Sequence, residues 1–269
     1  MKLAIVLSTQ PASFSALAYK GELETNLEKI ARLGYDGVEL AVREPARLDV
    51  PHVSVVLARL GLEVPAIGTG QAYGEEGLSF THPEASVRDQ AVARIQAHVD
   101  LAASLDALVI LGLIRGKVEA GVSREQALVW LREALHACCA YAAPRGVRFA
   151  MEPINRYETD LVNTVEEGLQ LIEEVGADNL GLLLDTFHMN IEEPAIEASI
   201  RRAGPRIFHF HVADSNRWYP GAGHLDFPAL IHALRDTGYH GYVSAEILPH
   251  PDPDTCAAKT IETMRPLLT

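Results

Sequence analysis

The chain reads as a single-domain (β/α)8 barrel, and three observations point there. Its 269 residues suit one α/β barrel, for which about 250 is typical. Short apolar runs rich in β-formers alternate with longer helical patterns from end to end, and the runs number eight. No glycine-rich phosphate-binding turn follows the first run, which disfavours an open dinucleotide-binding sheet.

The expected strands are 3–8, 37–42, 63–68, 107–113, 147–153, 180–185, 207–213 and 242–247. Between them the apolar residues step by three and four. Val92, Ile95, Val99 and Ala102 mark one helix, and Leu128, Leu131, Leu135, Cys138 and Ala142 the next. Asn163-Thr164 followed by Glu166-Glu167 reads as an N-cap with a capping-box acid. With no linker, low-complexity tract or charge block, residues 1–269 are expected to form one domain.

Composition narrows the class. No apolar run approaches the roughly 20 residues of a membrane span. The apolar start is too short for a signal peptide and reads as the first strand, so a cytoplasmic protein is expected. A net charge of −13 repels a phosphate backbone and argues against nucleic acid as partner. Cys138, Cys139 and Cys256 lack zinc-site spacing and read as small core residues in a reducing compartment.

In a barrel, chemistry sits at the C-terminal ends of the strands. The last four expected strands end on Met151-Glu152-Pro153, Leu184-Asp185-Thr186, Phe210-His211-Val212 and Ala245-Glu246-Ile247. Each is about one strand–helix unit from the next, so Glu152, Asp185, His211 and Glu246 should converge on one rim. A lone acid at a strand end is ordinarily a loop cap or a salt-bridge partner. Three acids and an imidazole at four consecutive ends would repel one another and cost several kcal/mol each without a counter-charge. One divalent cation resolves this. The oxygen-rich set with a single His suits Mn2+, Mg2+ or Co2+, and accommodates Zn2+.

Glu158, His188 and Arg217 fall on the loops after these strands, where substrate contacts belong. Arg43, Arg115 and Arg217 near strand ends suggest a cationic rim suited to a carboxylate-bearing substrate, although arginine also binds hydroxyls and structural acids. His209 shares a strand face with His211 and reads as a lower-layer core histidine. Glu39 is ambiguous. The Gly68-Thr69-Gly70-Gln71 turn reads as a tight loop rather than a phosphate cradle.

Four motifs carry a resemblance: Glu152-Pro153-Ile154-Asn155-Arg156-Tyr157-Glu158, Asp185-Thr186-Phe187-His188-Met189-Asn190, His209-Phe210-His211-Val212-Ala213-Asp214-Ser215-Asn216-Arg217 and Ser244-Ala245-Glu246. Together they resemble the xylose-isomerase-like barrels, and within them the D-tagatose 3-epimerase and sugar-phosphate isomerase/epimerase group. The stretches 8–14 and 66–73 further resemble the 5-keto-L-gluconate epimerase branch.

The resemblance implies a metal-dependent epimerase acting on a keto-sugar or keto-sugar acid, with Mn2+ the favoured ion. Glu152 and Glu246 would be both ligands and the acid/base pair, working through a metal-stabilised enediolate. Glu158, His188 and Arg217 would contact substrate, and a homodimer or homotetramer is implied. The chemistry fits independently: inverting a carbon beside a ketone needs an electrophile at the oxygen and a base on each face. Aldose–ketose or hydroxypyruvate-type isomerisation uses the same groups and is the first alternative. An inosose dehydratase, a DNA-repair endonuclease of the endonuclease IV type and a metal-free sugar-binding module are further rivals. The endonuclease would need more His ligands and a basic face.

Overall fold

A computed structural model describes residues 1–269. There are nine parallel strands, β1 (Lys2–Ser8), β2 (Tyr19–Lys20), β3 (Gly37–Ala41), β4 (Ala66–Gly68), β5 (Leu108–Leu111), β6 (Phe149–Met151), β7 (Leu180–Asp185), β8 (Ile207–Val212) and β9 (Tyr242–Ala245), and all but β2 neighbour one another in the order they occur. Strand β1 pairs with β3 on one side and β9 on the other, which closes the barrel. Eight of the strands fall within the expected runs to within a residue. The ninth, β2, is two residues long and was not anticipated. It pairs with Leu7 and Ser8 of β1, beyond the point where β9 stops at Ile5.

The helices α1 (Leu23–Leu33), α2 (Val50–Leu60), α3 (Gly70–Glu76), α4 (Ala85–Leu105), α5 (Arg124–Ala142), α6 (Val165–Val175), α7 (Thr186–Glu192), α8 (Ile196–Ala203), α9 (Phe227–Asp236) and α10 (Pro253–Leu268) join the strands. Period-two alternation sorts each strand's side chains. Leu3, Ile5, Leu7, Val38, Leu40, Val109, Leu111, Phe149, Met151, Leu182, Leu184, Phe210 and Val212 belong to the main core cluster, which also takes in the buried faces of the helices. The intervening residues face the barrel interior. Low in the barrel these are small or apolar: Ala66, Leu108, Ile110, Ala150 and Leu183 form a separate cluster. At the rim the same alternation turns Glu39, Glu152, Asp185, His211 and Glu246 inward.

The helix signals translate directly. Thr164 caps α6, accepting from Glu167 N, while the Glu167 carboxylate accepts from the main chain at Asn163 and Thr164. Ile95, Val99 and Ala102 of α4 and Leu131, Leu135, Cys138 and Ala142 of α5 are buried. All three cysteines are free and buried. No helix is long and apolar enough to cross a membrane.

Candidate active site

The four expected ligands meet. One donor atom each from Glu152, Asp185, His211 and Glu246 lies within 4.8 Å of the others. The strand register explains the convergence: Asp185 pairs with His211, and His211 with Ser244, the residue two before Glu246. Glu152 follows the last residue of β6 in the same way. Each acid is turned inward by alternation and lifted to the mouth by ending its strand.

The donor set fits a divalent cation. Glu152 Oε1, Asp185 Oδ2 and His211 Nδ1 are buried and have no hydrogen-bond partner. A native fold rarely leaves three such atoms unmet side by side. Burial, and then the neighbouring Glu246 carboxylate, push Glu152 well above the usual carboxylate range. Burial raises Glu246 too, against the pull of Arg217 and His211. Burial also opposes the Asp185 charge, but His188 and His211 outweigh it and hold that carboxyl below its ordinary value. Carboxylates packed this tightly ask for a positive charge among them.

His211 is aimed by Glu39. Glu39 Oε2 accepts from His211 Nε2 at 2.9 Å and from His209 Nε2 at 2.8 Å. With Nε2 donating, Nδ1 is the nitrogen turned to Asp185, at 3.8 Å from its Oδ2. Glu39, left ambiguous by sequence, is therefore the orienting carboxylate beneath the cluster. His209 is buried in the lower layer as expected.

The substrate-contact candidates gather beside the cluster. Arg217 Nη2 donates to Glu246 Oε2 at 2.8 Å and Nη1 to Glu158 Oε1 at 3.1 Å. Its guanidinium lies over the rings of Phe14 and Phe187, 5.1 and 4.8 Å from their centroids. The Arg217 backbone is in the left-handed region, φ 60. Hydrogen bonds from Arg217 N to Asp214 O and from Leu248 N to Arg217 O hold it there. His188 Nε2 is 3.6 Å from Glu152 Oε1. Asn155 Nδ2 donates to His188 Nδ1 at 2.7 Å and to Glu158 Oε1 at 2.9 Å. That bond leaves the His188 proton on Nε2, and burial pushes the imidazole down to about 4, so it is neutral near pH 7. Asn155 and the two phenylalanines were not singled out from sequence. Asn155 had one visible signal, a polar residue inside the Glu152–Glu158 motif.

The arginine rim is a correction. Arg43 Nε lies 3.7 Å from Glu76 Oε1 and does not line the cavity. Arg115 is fully buried, and its guanidinium donates to the main-chain oxygens of Leu161 (3.0 Å), Val162 (3.2 Å) and Glu152. It clamps a loop rather than facing a ligand. The cavity, about 360 Å3, is lined by one lysine or arginine only, Arg217, against Glu39, Glu75, Glu152, Glu158 and Glu246.

Residues 27–267 match the family model described as xylose isomerase-like TIM barrel. The chain belongs to that family. It is 34% identical over 238 residues to an L-ribulose 3-epimerase of Mesorhizobium japonicum, covering 87% of this chain and 78% of that one. It is 31% identical over 227 residues to a D-psicose 3-epimerase of Agrobacterium fabrum, covering 82% and 77%. The solved structure of an L-ribulose 3-epimerase superposes with a TM-score of 0.86 at 28% identity, covering 99% of this chain and 94% of that one. These relatives are ketose 3-epimerases, isomerase-class enzymes, as the motif resemblance implied.

Proposed function

We propose that this protein is a metal-dependent ketose epimerase that inverts the carbon next to the carbonyl, C3 of a 2-ketose. The observation that carries the reading is the cluster itself: four inward ligand atoms within 4.8 Å, three of them buried with no partner. The names of its relatives supply the substrate class. Glu152, Asp185, His211 and Glu246 would hold the ion, with Mn2+ favoured and Mg2+, Co2+ or Zn2+ compatible with the donors. When bound, a divalent ion supplies polarisation of the ketone and its neighbouring hydroxyl.

The residues do the proton work. Glu152 and Glu246 stand on the outer two of four adjacent strands, with Asp185 and His211 between. One carboxylate removes the C3 proton, and the other delivers a proton to the opposite face. Glu158, His188 and Arg217 line the cavity beside them and bind substrate oxygens, His188 as a neutral donor. The Phe14 and Phe187 rings keep water from the Arg217 guanidinium.

A keto-sugar acid is the second reading. It is favoured by one observation: the stretches 8–14 and 66–73 contribute Ser13, Phe14, Gly68, Thr69, Gly70 and Gln71 to the cavity wall. The single cationic side chain in the cavity counts against it. Aldose–ketose isomerisation remains the neighbouring chemistry of the same groups.

The test is a panel of D-psicose, L-ribulose, D-tagatose, D-fructose, an aldose and two keto-sugar acids, followed by NMR with added Mn2+. Interconversion of C3 epimers is expected, lost on chelation and restored by metal. An aldose product would replace the epimerase by the isomerase, and no turnover of any member would overturn the reading. The protein is further proposed to work in the cytoplasm, which suits three unpaired cysteines, and to assemble as a homodimer or homotetramer. Light scattering at micromolar concentration should give two or four times the 29.3 kDa chain mass; a monomer would refute the assembly.

A further inference from the structure

The cavity has a half that the cluster does not occupy. In the closed barrel β4 lies opposite β8, so the turn after β4 faces the strand that carries His211. Most polar groups on this side are already committed. Ser13 N and Oγ donate to Glu75 Oε1 at 2.9 and 2.6 Å. Thr69 Oγ1 donates to Ile110 O at 2.7 Å. Gln71 Nε2 donates to Ser8 Oγ at 2.7 Å, and Ser8 Oγ gives its only proton to Gln10 O at 2.6 Å. That relay settles which way the Gln71 amide points, because Ser8 can only accept from it.

The amide oxygen is left over. Gln71 lines the cavity, is 6% exposed, and its Oε1 is buried with no partner. The other unmet atoms on cavity-lining residues are Glu152 Oε1, His211 Nδ1 and Arg217 Nε. Those belong to the cluster and the arginine bonded to it. Gln71 Oε1 alone stands on the opposite side. A buried acceptor without a donor is costly, so a fold that keeps one at a cavity wall has a donor arriving from the cavity.

We infer that Gln71 is a specificity-determining residue whose Oε1 accepts a hydrogen bond from a substrate hydroxyl beyond the inverted carbon, at C4 or further along the chain. The inference rests on the epimerase reading above. A ketose gripped at the cluster must lay the rest of its chain in this half, because Glu158, His188 and Arg217 fill the near side. An amide oxygen only accepts. It therefore selects a hydroxyl there, and a deoxygenated carbon leaves it unmet. The Ser8 bond is what denies the amide its alternative orientation.

The experiment removes the hydroxyl and the residue in turn. kcat/KM is measured with Mn2+-loaded protein on D-psicose, or the fastest ketose of the panel, and on its singly deoxygenated analogues beyond C3. The wild type should lose about 10-fold or more on one analogue. In Gln71→Leu that ratio should fall to within about 2-fold, since the contact is already gone. Gln71→Glu keeps an acceptor and should keep the ratio. Should the leucine variant not fold, Ser8→Ala leaves Gln71 in place but frees the amide to turn, and should soften the same ratio. A Gln71→Leu variant that slows the parent and every analogue by one common factor overturns the hydroxyl contact while leaving the epimerase standing. Absence of wild-type turnover on every ketose removes the functional reading, and this inference with it.

Discussion

Glu246→Gln is expected to lower kcat for epimerisation by roughly 10²–10⁴-fold, and Glu152→Gln to do the same, because each substitution deletes one of two proton-transfer groups. The change is isosteric, so the barrel should be undisturbed. The amide oxygen still coordinates weakly, so some metal should be retained. In Glu246→Gln the ion pair with Arg217 Nη2, 2.8 Å in the native protein, is lost, and what can remain is a bond from the charged guanidinium to a neutral amide oxygen. With one base intact, each variant should still be able to exchange the substrate's C3 hydrogen with deuterated water without inverting the centre. Kinetics and exchange by NMR, with metal content measured in both variants, check this. One variant dead to exchange and inversion alike, beside another with near-normal epimerisation, would replace two-base chemistry by one-base chemistry.

Arg115→Met should destabilise the protein by about 3–5 kcal/mol, since it strips a buried charged donor from main-chain oxygens. Leu161 and Val162 lose bonds of 3.0 and 3.2 Å, and the Glu152 oxygen loses its donor as well. For a chain of this size the loss corresponds to roughly 6–20 °C in Tm. Arg115→Lys keeps the charge but reaches fewer of the oxygens, and should fall between the two. Because Arg115 ties the loop through 161 and 162 back to the residue that bears the Glu152 carboxylate, activity should fall with stability. A calorimetric Tm within about 2 °C of wild type would show that the clamp contributes little.

The two arginines divide what pattern alone can show. Arg217 and Arg115 look alike in sequence, each near a strand end. One lies against two aromatic rings at the cavity wall; the other is turned under a loop among carbonyls. Direction of a long side chain is a rotamer and packing outcome, and no spacing rule encodes it. Glu39 was illegible for the same reason. Its partners His209 and His211 are 170 and 172 residues away, and only closure of the barrel through the β1–β9 pairing brings the Glu39 side chain of β3 within reach of β8. Strand β2 escaped notice because two residues carry no periodicity.

By itself, the sequence determined the eight strand–helix units, the capping box at Thr164, the inward alternation and the four residues that would meet at the rim. These follow from periods of 2 and 3.6 and from the fact that parallel strands all end on one face. Tertiary structure alone decided what the rim residues touch: that Glu39 orients His211, that Asn155 sets the His188 tautomer, that Arg115 is a loop clamp, and that Gln71 is left with an unmet acceptor. Hydrogen-bond partners across a barrel depend on closure and on which rotamers survive packing. Those are properties of the assembled chain, summed over contacts far apart in sequence.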